Sequence, residues 1–248
     1  VRHGVSVSCL PPFTLPAMSS LPQDPYPDPY HAASRHLAAI DADWAQLVAT
    51  VGHCRLQPKP AREPYEALLR AVAYQQLHVR AGDAMLARLL ACQPQQAFPT
   101  PAQLLALDAG QLRGCGFSGR KAATIHAIAA ATLDGRVPSR QEAAQLSDDA
   151  LIERLVTLPG IGRWTVEMLL LYTLARPDIL PVDDFGVREG YRFLKALPAL
   201  PGRRELLAAT AACSPYRSVA TWYLWQVPSL ADYQPRPGKR RAAAAGTG

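Results

Sequence analysis

Apolar residues recur along the middle of the chain at steps of three and four. Leu37, Ile40, Trp44, Leu47, Val48 and Val51 fall on one face of a helix. Leu68, Leu69, Val72, Ala73 and Gln76 repeat the pattern, as do Met85, Leu86, Leu89 and Leu90, then Ile125, Ile128 and Leu133, then Leu151, Ile152 and Leu155. Thr100-Pro101 and Ser147-Asp148 pair a capping side chain with a residue suited to a first helical turn. No alternation of β-branched residues persists, so strands are not expected. The pattern predicts an all-α protein of about nine to eleven short helices.

The ends do not share this periodicity. Residues 1–29 hold seven of the 23 prolines, and residues 233–248 close on Ala-Ala-Ala-Ala-Gly-Thr-Gly. The expectation is a flexible leader at 1–29, an ordered body at 30–232 and a basic flexible tail at 233–248. Met18 is a candidate start, which would make residues 1–17 an upstream extension.

Charge adds one constraint. The 248 residues carry a net +6, but the tail supplies Arg236, Lys239, Arg240 and Arg241 with no acid. The remaining 232 residues are left at +2, so a polyanionic partner would have to be held by a few placed groups, not by a broad basic face. The longest apolar run, Met168 to Leu174, is far short of the ~20 residues that span a bilayer, and no membrane role is expected. The five cysteines are scattered, with no C-x-x-C pair. That excludes zinc-ribbon or iron–sulfur spacing, and free thiols in a cytoplasmic protein are expected.

The chemistry concentrates in residues 151–192. Leu158-Pro159-Gly160-Ile161-Gly162-Arg163-Trp164-Thr165 stands between a helical stretch, Leu151 to Thr157, and an apolar one, Val166 to Leu174. Two glycines flanking one apolar residue give a tight turn that lets another backbone approach. The first N–H groups of the following helix would be unpaired and would form an anion site without charged side chains. In this reading Ile161 pins the turn to its own core, while Gly160, Gly162 and Thr165 face a phosphate. The alternative is a plain αα-hairpin with no ligand. A weaker echo, Leu112-Arg113-Gly114-Cys115-Gly116-Phe117, has the same Leu-x-Gly-x-Gly order. About twenty residues past the hairpin, Pro181-Val182-Asp183-Asp184-Phe185-Gly186-Val187-Arg188 places an acid where it can cap a helix from about Phe185 to Leu197; capping could be its whole role.

These two segments closely resemble the helix-hairpin-helix base-excision DNA glycosylases, and among them the 3-methyladenine DNA glycosylase II branch in its short, all-helical form. Three further segments support the resemblance: Tyr65 to His78 with its Gln75-Gln76-Leu77-His78 loop, Phe98-Pro99-Thr100-Pro101 to Lys121, and Pro215 to Trp225. Together they run through roughly residues 30–227.

The resemblance implies a two-lobed helical fold with the active site in the cleft, and the hairpin at about 151–175. It also implies a monomeric enzyme acting on double-stranded DNA with an alkylated base, without a cofactor or metal. In a bacterium it would be cytoplasmic and associated with the nucleoid. Asp184, not Asp183, takes the catalytic position; Asp183 would cap the helix or support the loop. Trp164 stands where bifunctional relatives place a lysine, which implies a monofunctional enzyme. Gln76, with Leu77 second, would fill the gap left by the flipped nucleotide, and His78 would touch the minor groove. Trp164 and Trp225 would line the base pocket, with Tyr74 and Tyr223 as further candidates. The aromatics of residues 222–225 could equally be core residues at helical spacing. Cys213 and Met168 depart from aromatic positions of the branch. A glycosylase for deaminated or oxidised bases, and a non-catalytic lesion-binding module, are the alternatives on the same fold.

Overall fold

The computed structural model describes residues 29–75, 77, 79–92 and 98–233. Among them are thirteen α-helices, two short 3-10 turns and no strand. The helices are α1 (His31–Ala38), α2 (Ala42–Val51), α3 (Pro64–Tyr74), α4 (Val79–Ala91), α5 (Pro101–Ala106), α6 (Ala109–Gly114), α7 (Gly119–Leu133), α8 (Arg140–Gln145), α9 (Asp148–Leu155), α10 (Arg163–Tyr172), α11 (Phe185–Leu194), α12 (Arg203–Ala209) and α13 (Arg217–Gln226). The all-α expectation holds. The helix number exceeds it because α5, α6 and α8 have six residues each, too few for an apolar stripe to repeat. Their starts are instead fixed by capping boxes: Thr100 with Gln103, Asp108 with Gln111 and Ser139 with Glu142. The leader at 1–28 and the tail from 234 onward lie outside the described residues.

The helices pack in two groups. In one, α3 and α7 lie together, with α4 and α10 against α3, α5 and α6 against α7, and α9 against α10. In the other, α1, α2, α11 and α13 pack on one another. Buried side chains of both groups form one continuous core, from Leu37 and Trp44 through Leu69, Ile125 and Leu170 to Val187 and Leu224. Two close approaches set the site. A Cβ on Gly190 of α11 would lie 2.3 Å from the carbonyl oxygen of Leu224 on α13, so glycine is what lets these helices meet backbone to backbone. A Cβ on Gly160, whose φ is +79°, would lie 2.2 Å from Oγ1 of Thr124 on α7. No described helix is long and apolar enough to cross a membrane, and the described residues hold no cluster of His, Cys, Asp and Glu that could bind a metal.

Candidate active site

Three helix segments meet at Asp184. The first turn of α10 supplies Trp164, the N-cap of α11 is Asp184 itself, and the last turn of α13 supplies Trp225. Oδ1 of Asp184 accepts the backbone N–H of Val187 at 2.9 Å and the indole N–H of Trp225 at 2.9 Å. Oδ2 accepts the indole N–H of Trp164 at 2.8 Å. The capping and the site-facing roles therefore belong to one residue, because a cap uses only one lone-pair direction of a carboxylate that has about four. Asp183 does neither; it pairs with Arg203 at 2.5 Å. Gly186 completes the local fit: a Cβ there would lie 2.9 Å from Cδ1 of Trp225 and 3.1 Å from Oδ1 of Asp184.

Behind Trp225, the ring of Tyr172 stacks parallel to the indole, with centroids 6.1 Å apart. Burial, and secondarily the charge of Asp184, pushes the Tyr172 hydroxyl above its ordinary range. The periodicity of α10 marks Tyr172 only as one of many apolar positions. Its place on Trp225 is a product of how α10 and α13 pack.

The hairpin forms as the glycines suggest, with one correction. Ile161 is buried, and Gly160 adopts the left-handed φ that lets the chain turn. The backbone N–H groups of Gly162, Arg163 and Trp164 make no hydrogen bond among the described residues, and a Cβ on Gly162 would meet nothing within 4 Å. This open rim borders a cleft of ≈ 390 Å³, which Ser118 at the N-cap of α7 and the α7 residues Arg120 and Lys121 line from the other side. Thr165 lines the same cleft, but its N–H is not free for a phosphate. It is buried, its N–H is bonded to the carbonyl of Gly162 at 3.0 Å, and its hydroxyl accepts from Gln75 at 3.2 Å. Thr165 is the third residue of α10, and the i→i−3 bond to Gly162 takes its N–H into the first turn, leaving the exposed donors at residues 162–164.

Two expected pocket residues are engaged elsewhere. Tyr223 is fully buried; its hydroxyl donates to the carbonyl of Gly52 and is hydrogen-bonded to Oγ of Ser34, each at 2.9 Å. Two positions separate it from Trp225, and 200° of helix turn carries it into the core against α1 and the end of α2. Tyr74 leans on α4: its hydroxyl donates to Asp83 at 2.6 Å, and its ring covers Gly82, where a Cβ would lie 2.2 Å from Cδ1. Of the loop residues, Leu77 projects into solvent with 45% of its surface exposed. Gln76 and His78 lie outside the described residues. Cys213 is packed in the core.

The hairpin between α9 and α10 makes this a helix-hairpin-helix protein. A family model described as HhH-GPD superfamily base excision DNA repair protein matches residues 69–215, which include both the hairpin and Asp184, and the chain belongs to that family. DNA-3-methyladenine glycosylase 1 of Schizosaccharomyces pombe is 45% identical over 202 residues, covering 81% of this chain and 89% of the relative. The alkylbase DNA glycosidase-like protein mag2 of the same yeast is 39% identical over 202 residues, covering 81% and 95%. The solved structure of Schizosaccharomyces pombe 3-methyladenine DNA glycosylase (Mag1) in complex with abasic DNA is similar at a TM-score of 0.77 and 44% identity, covering 82% of this chain and 100% of that one.

Proposed function

We propose that the chain is a monofunctional DNA glycosylase that hydrolyses the N-glycosidic bond of alkylated purines such as 3-methyladenine and leaves an abasic site. The observation that carries this reading is the Asp184 carboxylate, held by two indole N–H groups and by the first turn of its own helix. The similarity to named 3-methyladenine glycosylases supports the substrate class.

The chemistry follows from charge. Breaking the bond between sugar and base builds positive charge on the sugar ring. A fixed carboxylate beside that ring stabilises the charge and orients the attacking water. The indoles hold Asp184 in place without adding a cation that would offset it. Trp164 stands where an amine nucleophile would be needed for strand cleavage, so water is the nucleophile and the strand stays intact. Alkylated purines that carry positive charge are drawn to π faces, and Trp164 and the Trp225–Tyr172 stack offer them.

The open N–H groups at Gly162, Arg163 and Trp164 bind a DNA phosphate, and Gln76, with Leu77 second, enters the space left by the flipped nucleotide. The working unit is residues 30–232, acting as a monomer, with the cleft between the two helix groups as the site.

The test is base release from methylated duplex DNA by the wild type and by Asp184→Asn. The wild type should release the base and leave a product that breaks only after alkali. Equal release by the variant removes Asp184 from the mechanism, and breakage without alkali removes the monofunctional reading.

A further inference from the structure

The weaker echo of the hairpin, around residues 112–118, also forms a turn between two helices, α6 and α7. The structural likeness is shifted by two residues from the sequence likeness. Gly116, at φ +99°, takes the place of left-handed Gly160. Buried Phe117 takes that of Ile161, and Ser118, the N-cap of α7, that of Gly162, the N-cap of α10. Both turns reach the same cleft, with Ser118 and Arg120 on one side and Gly160 and Gly162 on the other.

The α6–α7 turn leans on α4. A Cβ on Gly116 would lie 2.6 Å from Nη2 of Arg88 and 3.1 Å from Cγ of Met85. Nε of Arg88 donates to the carbonyl of Cys115 at 2.8 Å. Cys115 is the C-cap of α6 and is buried; Cys92 directly follows α4 and is exposed. Their sulfur atoms are 3.8 Å apart. The backbone N–H of Cys92 bonds to the carbonyls of Arg88 and Leu89, so the end of α4 sets its position. Burial, and then the neighbouring thiol, push the Cys115 thiol up to about 11. Cys92 is therefore the sulfur that an oxidant in solution reaches, and Cys115 is the partner waiting behind it.

We propose that Cys92 and Cys115 are a site of reversible oxidation: a hydroperoxide converts the pair to a disulfide, and closing that bond displaces the α6–α7 turn and weakens the grip on duplex DNA. The Cys92 sulfur attacks one peroxide oxygen, the O–O bond breaks, and a sulfenic acid and one water result. The Cys115 sulfur then displaces the hydroxyl, which leaves with the Cys115 proton as a second water. Two thiols lose two electrons in all, and the peroxide takes both. A dithiol reductant reverses the step by exchange. A disulfide holds its sulfurs about 2.05 Å apart, so the pair must close by roughly 1.8 Å. Gly116 already abuts Arg88 and Met85. The approach therefore pushes the Arg88 guanidinium aside and tilts the turn, carrying Ser118 and Arg120 with it. The bond itself stands on the sulfur geometry; its effect on DNA rests on the glycosylase reading above.

The test treats the reduced full chain with hydrogen peroxide, maps linked peptides by mass spectrometry and measures affinity for undamaged duplex. The wild type should gain a Cys92–Cys115 link and bind duplex at least about threefold more weakly, and dithiothreitol should restore both. Cys92→Ser and Cys115→Ala should form no such link and keep their affinity under the same treatment.

A link from Cys92 to another cysteine, or sulfinic acid at Cys92 without a link, overturns the proposal. So does a Cys92–Cys115 link that leaves affinity unchanged, or an equal loss of affinity in Cys92→Ser. Reduced wild type that binds no duplex and releases no base sinks the glycosylase reading and the proposed effect with it, an outcome distinct from linked protein that binds duplex as before.

Discussion

Trp225 donates its indole N–H to Oδ1 of Asp184 at 2.9 Å, across the boundary between α13 and the start of α11. The contact exists because residue 186 has no side chain; a Cβ there would crowd both partners. Its backbone is not left-handed, so alanine brings steric conflict without backbone strain. Gly186→Ala should displace the indole, forfeit a hydrogen bond to a charged group of about 1.5–3 kcal/mol, and slow base release at least about tenfold. Single-turnover kinetics measure it; an unchanged rate would show that the Trp225 bond is dispensable.

Asp184 has two roles that substitution can separate. Asn retains an oxygen for the Val187 N–H and is as good a cap as Asp, whereas Ala costs about 1 kcal/mol at such a position. Asp184→Asn should melt close to the wild type and Asp184→Ala lower. Both should lose base release by about 10²–10⁴-fold. Calorimetry alongside the glycosylase assay reads both effects.

The two hairpin glycines should fail differently. Gly160→Ala places a Cβ 2.2 Å from Thr124 Oγ1 at a positive φ, and should lower stability by about 1–3 kcal/mol. A Cβ on Gly162 meets no protein atom. Gly162→Val should therefore melt near the wild type yet bind all duplexes more weakly, whatever their sequence. Retained affinity would remove the phosphate from that rim.

The α11–α13 approach is tested at Gly190. Alanine there would set a Cβ 2.3 Å from the Leu224 carbonyl oxygen. It should force the helices apart at a cost of about 1–3 kcal/mol, moving Asp184 and Trp225 relative to each other. Denaturant unfolding and base release should fall together.

Asp178 gives an acid limb to stability. Burial raises its pKa, but bonds from the Arg217 guanidinium, the Ser214 hydroxyl and the Arg217 backbone N–H outweigh that and leave it below the ordinary value of 3.8. A folded pKa below the unfolded one contributes stability that is present above about pH 4 and lost as pH falls through the folded value. Asp178→Asn should cost about 1–2 kcal/mol at pH 7 and progressively less as the pH is lowered below about 4. Melting temperatures across that range check it; an equal deficit throughout would place the Asp178 effect in packing.

Much of this was legible along the chain. Stripes of apolar residues and capping pairs such as Thr100-Pro101 and Ser147-Asp148 specify helices because their signals are local. The Gly160-Ile161-Gly162 turn and the acid before Phe185 are likewise local, since a cap and a tight turn are set by a few consecutive residues. Asp184 could be singled out from Asp183 by resemblance. The two indole N–H groups that meet its carboxylate, from residues 20 and 41 positions away, could not be read there.

The sequence by itself determined which segments are helices, where they turn and which residue types could carry chemistry. Only the tertiary structure decided which aromatics face Asp184. Tyr223 and Trp225 lie on one short helix with similar chemistry, yet one is buried against Ser34 and Gly52 and the other reaches the carboxylate. Likewise Tyr172 meets Trp225 across 53 residues of chain, and Gln75 meets the Gly160 carbonyl across 85. Helix propensity and capping act within a few residues. The direction in which a side chain points depends on how whole helices pack, and at Gly160, Gly186 and Gly190 that packing depends on the absence of a side chain.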